Sequence, residues 1–139
     1  MRLLGVTGHH DPAILLEAIG RFDFDTVLVA LNAADGHRLP FATTVLPEAA
    51  RRGMGVIAMK VTAQGAILGP GGLTMPDAMG YVLSLPGVST VVIGCRTAAE
   101  VAENARIARQ HSPFDAAKLR RLEAATRTRS EDFGYYKRK

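Results

Sequence analysis

An α/β protein built from parallel strand–helix units is what this sequence predicts, and three observations predict it. Short apolar runs rich in β-branched residues recur at positions 3–6, 26–31, 55–60 and 87–93. Each is followed by a loop and then by helix-start signals or helical apolar spacing. The chain of 139 residues is 47% hydrophobic with 14 glycines and few aromatics, a composition that suits one α/β domain. Strands that alternate with helices require crossover connections, which make a parallel sheet.

The first run leads through Thr7-Gly8-His9-His10 to Asp11-Pro12, an N-cap followed by proline at the first helical position. Ile14, Leu15, Ala18, Ile19 and Phe22 then mark one apolar helix face. After the second run, Asn32 to His37 form a loop, and the next helix ends at Arg51-Arg52-Gly53, cations on the negative end of the dipole with glycine as the cap. The third run opens a long glycine-rich loop over 61–73. Thr74, with Asp77 three residues on, caps a helix carrying Met75, Ala78, Met79, Val82 and Leu83, which Pro86-Gly87 breaks.

The fourth run has no polar alternation and reads as a strand buried on both faces. It passes through Gly94 into a helix capped by Thr97, with Glu100 completing a capping box. A strand end that runs through glycine into a helix N-terminus, with Arg96 beside it, presents N–H groups and positive charge suited to a phosphate. A last amphipathic helix over 115–127 shows Leu119 and Leu122. Residues 128–139, ending Lys137-Arg138-Lys139, have little periodicity and read as a basic, flexible tail to a domain spanning 1–127.

Several functions are disfavoured. The net charge of +4 comes from cations scattered over helix faces without interleaved aromatics, so nucleic acid is not the expected partner. No apolar run approaches the ~20 residues of a membrane span and none resembles a signal peptide, so a cytoplasmic protein is expected. Cys95, the single cysteine, excludes an internal disulfide and reads as a small buried filler. Adjacent His9 and His10 diverge in a strand–helix loop, and with His37 they do not make the three converging ligands a metal needs, so no metal is expected. A substrate contact by His9 stays open.

Three stretches, "GVTGHHDP", "RRGMGVIAMKVTAQG" and "GVSTVVIGCRTAAEVAEN", in this order and covering nearly the whole chain between them and their connections, resemble the aldo/keto reductase family. The resemblance implies the C-terminal, cofactor-binding half of a TIM-type (β/α)8 barrel: four parallel strands, helices outside, one extra C-terminal helix, and functional residues in the loops after the strands. It implies that Thr7 holds the nicotinamide carboxamide, with Gly8 where the family often has asparagine. Met59 would lie against the nicotinamide ring, or serve as plain core. Lys60 would meet the pyrophosphate, with Gly65 closing over it; a cation at a strand end is costly to bury without an anion. Gly94, Arg96 and Thr97 match the family's phosphate positions, and Glu103 and Asn104 match its adenine-binding pair. NADPH is the implied cofactor, with NADH as the alternative, because Glu100 stands where many NADPH-using members carry arginine.

The family's catalytic tyrosine, lysine, aspartate and histidine come from the other half of the barrel, and none has a counterpart here. Catalytic residues are therefore expected to be none, and the chain alone is expected to show no turnover. A small carbonyl substrate would be reduced in the complete barrel, and the open strand edges call for a missing N-terminal half-barrel or self-association. A non-catalytic half-barrel with a binding or regulatory role is the alternative.

Overall fold

Strands β1 (Gly5–Gly8), β2 (Thr26–Ala30), β3 (Gly55–Met59) and β4 (Val88–Val91) form one sheet in the order β1-β2-β3-β4, every neighbouring pair parallel. The structure is a computed structural model and describes residues 2–137. Helices α1 (Pro12–Arg21), α2 (Val45–Arg51) and α3 (Met75–Leu83) connect successive strands; α4 (Ala98–Gln110), α5 (Ala116–Thr126) and the single turn α6 (Ser130–Phe133) follow β4. Sequence reading and structure agree on this architecture: four parallel strands alternating with helices.

Local chemistry accounts for the element boundaries. Asp11 accepts a hydrogen bond from the Ala13 amide at 2.8 Å, Thr74 from Asp77 at 3.2 Å and Thr97 from Glu100 at 3.2 Å, so each of these helices starts on a side-chain cap. At the end of α2, Gly53 adopts φ +67° while its amide and that of Met54 bond back to Ala50 and Ala49 at 3.1 and 2.9 Å. That pair of bonds is the Schellman closure, and the left-handed residue it requires is the glycine.

One face of the sheet is covered. Val27, Val29, Val56 and Ala58 are buried together with Leu15 and Ile19 of α1, Leu46 and Ala49 of α2, and Met79 and Val82 of α3. Each fully buried Leu or Ile contributes roughly 1.5–3 kcal/mol. The residues that alternate with the buried ones, Thr7, Leu28, Ile57 and Thr90, are aligned by register into one row, and all four are half-buried or exposed.

Three expectations from the sequence need correction. The fourth run is not buried on both faces: Ser89 and Thr90 are exposed, because β4 is an edge strand of a sheet whose helices pack on a single side. On α1, Ile14 and Phe22 are 64% and 52% exposed; the helix meets the sheet along an arc that reaches only as far as Leu15 and Ile19. Residues 128–137 are not a solvated tail: they form α6 and a 3-10 turn over Tyr135–Lys137, with Phe133, Tyr136 and Lys137 buried. Arg138 and Lys139, the end of the proposed tail, lie outside the described residues.

Candidate functional site

At the carboxyl ends of β3 and β4 the backbone leaves the sheet by two different routes, and a groove of about 930 Å3 lies between them. On the β3 side, Lys60, Ala63 and Gln64 all have positive φ, at 59°, 49° and 59°. Left-handed geometry costs an L-residue roughly 1–2 kcal/mol, and such strain is concentrated where ligands are clamped. Thr62 steadies the turn by accepting from the Gly65 amide at 3.3 Å. On the β4 side, the Val92 amide still bonds to the Ala58 carbonyl at 2.8 Å, after which Ile93-Gly94-Cys95 swing out to the start of α4.

Of the nine residues implied by the sequence, six line this one groove: Lys60, Gly65, Gly94, Arg96, Glu103 and Asn104. Thr97 serves beside it as the cap of α4. The structure does not bring the other two into it. Met59 is the last residue of β3, half-buried and paired in register with Ala30. Thr7 lies two strands away, its hydroxyl donating to the Leu28 carbonyl at 3.1 Å. Cys95 is exposed, not a buried filler: it sits on the turn after the sheet edge, where its sulfur accepts from Asn104 Nδ2 at 3.3 Å.

The charges of the groove are unevenly committed. Lys60 makes no ion pair among the described residues, and its ammonium stands 5.8 Å from the centroid of the Tyr135 ring. Glu103 is held below the usual carboxylate range by hydrogen bonds from Arg106, 2.6 Å away. Glu100 turns back over the start of α4: its Oε2 accepts from the Arg96 amide at 2.7 Å, and its Oε1 lies 3.7 Å from the Arg96 guanidinium. The capping box thus closes one residue earlier than its usual geometry, on Arg96 instead of Thr97.

A second polar cluster occupies the ends of β1 and β2, and sequence reasoning missed its central members. Asn32 is buried; its Nδ2 donates to the Lys60 carbonyl at 3.1 Å and to the Tyr136 hydroxyl at 3.0 Å, and its Oδ1 accepts from the Ala34 amide at 2.9 Å. Lys137, 2% exposed, places its ammonium 2.6 Å from Asp35 Oδ1 and within 2.7–3.2 Å of the carbonyls of Asp35, Arg38 and Leu39. Burial pushes the Asp35 carboxyl up and the Lys137 ammonium down, and their mutual attraction opposes both shifts. An asparagine directly after the second apolar run, with an aspartate three residues on, was the available signal for this cluster.

Three of the four histidines are absorbed into that packing. His10 Nδ1 lies 3.1 Å from the Tyr136 carbonyl, His9 meets the Tyr136 ring edge-on at 6.1 Å, and His37 Nε2 lies 2.9 Å from the Glu123 carbonyl. Among the described residues no group of three or more His, Cys, Asp or Glu side chains converges for a metal. Nor is any helix among them long and apolar enough to cross a membrane. Burial raises the phenols of Tyr81 and Tyr136, and carboxylates reinforce the shift, Glu123 beside Tyr81 and Asp35 near Tyr136.

Four parallel strand–helix units with their polar groups gathered at the carboxyl ends of the strands define half of a (β/α)8 barrel. Among solved structures, the chain is similar to aldo-keto reductase AKR11C1 from Bacillus halodurans, in both its holo and apo forms, each with a TM-score of 0.70 at 17% identity. The match covers 89% of this chain and 50% of the reductase, so the chain spans half the length of the protein it matches. No family model and no curated protein sequence matches it. The fold is therefore that of half an aldo-keto reductase barrel.

Proposed function

We propose that this chain is the cofactor-binding half of an aldo/keto reductase-type oxidoreductase, and that the groove between β3 and β4 takes a nicotinamide dinucleotide. The observation that carries the reading is the meeting of Lys60, Gly65, Gly94, Arg96, Glu103 and Asn104, named from sequence on two separate stretches, along one groove. Its volume lies at the upper end of the roughly 300–1,000 Å3 typical of ligand pockets. The groups present fit such a ligand: an uncommitted ammonium at Lys60 for a pyrophosphate, glycines at positions 65 and 94 where a backbone approaches closely, and an amide side chain at Asn104 for a base edge.

When bound, the nicotinamide supplies a hydride for reduction of a carbonyl. This chain's residues would bind and orient it: Lys60 would neutralise phosphate charge and Asn104 would hold the adenine. Thr7 and Met59 stand outside the groove and would meet the nicotinamide end of the dinucleotide. The resemblance implies NADPH, with NADH as the alternative. Protonation of the developing alkoxide is assigned to side chains of the complementary half of the barrel, so this chain alone has no turnover. That complement, another half-barrel or a second copy, covers the row of Thr7, Leu28, Ile57 and Thr90.

The test is a titration of the isotopically labelled chain with NADH and NADPH, followed by amide resonances. Shifts should be largest in the segments around Lys60, Gly65, Gly94 and Asn104, with the nicotinamide end read at Thr7 and Met59. Lys60→Ala should weaken both nucleotides about tenfold, the loss of one phosphate ion pair. Dinucleotide oxidation with a panel of carbonyls should stay at background. Shifts absent at millimolar nucleotide, or appearing along Leu28, Ile57 and Thr90 without any at Lys60 and Gly94, would sink the assignment.

A further inference from the structure

We infer that the groove selects a nucleotide whose ribose carries a free 2′-hydroxyl, and that Glu100 is the residue that sets this choice; the inference rests on the dinucleotide reading above and reverses the preference for NADPH that the resemblance implies. The turn from β4 into α4 has the outline of an anion site, with a glycine, a capped helix of 13 residues and an arginine. Its anion is already built in. Glu100 Oε2 takes the Arg96 amide at 2.7 Å, Oε1 faces the Arg96 guanidinium at 3.7 Å, and the Glu100 amide is fixed by Thr97 Oγ1 at 3.2 Å. The carboxylate is thus anchored at both its backbone and its side chain, while the arginine it engages is 92% exposed and free to leave.

The chemistry of the two ribose substituents then separates. An ionised carboxylate only accepts hydrogen bonds, so a 2′-hydroxyl donates to it, which is how acidic side chains read the unphosphorylated ribose in other dinucleotide sites. A 2′-phosphate brings its own negative charge to the same place. It must displace Glu100 from the Arg96 amide or sit against it, while Glu103 on the next turn of α4 has its charge already paired with Arg106 at 2.6 Å.

The experiment needs only the adenosine end of the ligand. Wild-type chain and Glu100→Gln are titrated with 5′-AMP and with adenosine 2′,5′-bisphosphate, reading the amides of Arg96, Thr97 and Glu100. Glutamine keeps an oxygen for the Arg96 amide and removes only the charge. The expected result is that wild type binds 5′-AMP more tightly, against the bulk attraction of a chain with net charge +4 for the more anionic probe. Glu100→Gln should shift the ratio of the two affinities by about tenfold toward the bisphosphate, the effect of removing one like charge a few ångströms away near a protein surface. Tighter binding of the bisphosphate by wild type, or a ratio unchanged in the variant, overturns the inference and leaves the dinucleotide reading standing. No response near Arg96 or Asn104 to either probe in either protein overturns both.

Discussion

The two margins of the sheet are held in opposite ways. At the ends of β1 and β2, residues about 100 positions apart in the chain close over one another: Lys137 onto Asp35 and three carbonyls, Tyr136 onto Asn32 and His10. At β4 and α4, the strand shows Ser89 and Thr90 to solvent, Ile107 is the one buried residue of the helix, and grooves of about 930 and 500 Å3 border the turn between them. The first margin spends its polar groups on each other. The second leaves its groove open, and Lys60, Ala63 and Gln64, three of the four left-handed residues other than glycine among the described residues, lie on the side shared with β3. The contrast teaches where stability and function divide: changes at the first margin should register in unfolding, and changes at the second in binding.

The largest expected effect breaks the first margin. Lys137→Met removes one partner of a buried ion pair and leaves Asp35 without its cation, which should destabilise the chain by about 3–5 kcal/mol in urea unfolding. Asp35→Asn combined with Lys137→Met should be less damaging than the sum of the single changes by more than about 1 kcal/mol, since neither charge is then left alone. A single Lys137→Met costing under about 1 kcal/mol would mean the segment after α6 is not docked in solution.

Next in size is Ile107→Ala. It removes the one buried side chain of α4, and a large-to-small change of this kind costs about 2–5 kcal/mol. The low end is expected, because the neighbouring grooves let water and side chains fill the space. Thermal melting and nucleotide titration together sharpen the comparison: a loss of affinity larger than the loss of stability shows that α4 is held mainly for the ligand. Tyr136→Phe should cost about 1 kcal/mol, a single hydrogen bond, because Asn32 Nδ2 keeps the Lys60 carbonyl as an acceptor.

How much of this was legible in the sequence follows the same division. The caps at Asp11, Thr74 and Thr97 and the glycine after α2 are local chemistry, and each stands where its residue type requires. The residues of the groove were readable because two short stretches carry them and the parallel topology brings the ends of neighbouring strands together. The docked C-terminal segment was not readable. Lys137 within Lys137-Arg138-Lys139 has the composition of a solvated tail, and its partner Asp35 lies 102 positions away, beyond the reach of any periodicity. The burial of β4 was not readable for a related reason: a β-branched run announces a strand, but whether a second layer covers it depends on elements elsewhere. Cys95 followed suit, since its apolar neighbours Val92 and Ile93 lie past the end of β4, where the chain is already leaving the sheet edge.

The smallest expected effect tests whether the second margin is as open in solution as it is in the structure. Val101 is 55% exposed on α4, beside a groove shared with Val91, Ile93 and Ala105. Serine and valine have similar helix propensities, and a substitution at such a surface position falls within about 0.5 kcal/mol. Val101→Ser should therefore move the melting temperature by no more than about 2 °C in a chain of this size. A fall well beyond that would mean Val101 is buried in the species that melts, which requires a second copy or a complementary half-barrel against α4. Repeating the melt over a hundredfold range of concentration separates these two, because only self-association makes the wild-type midpoint rise with the concentration of the chain itself.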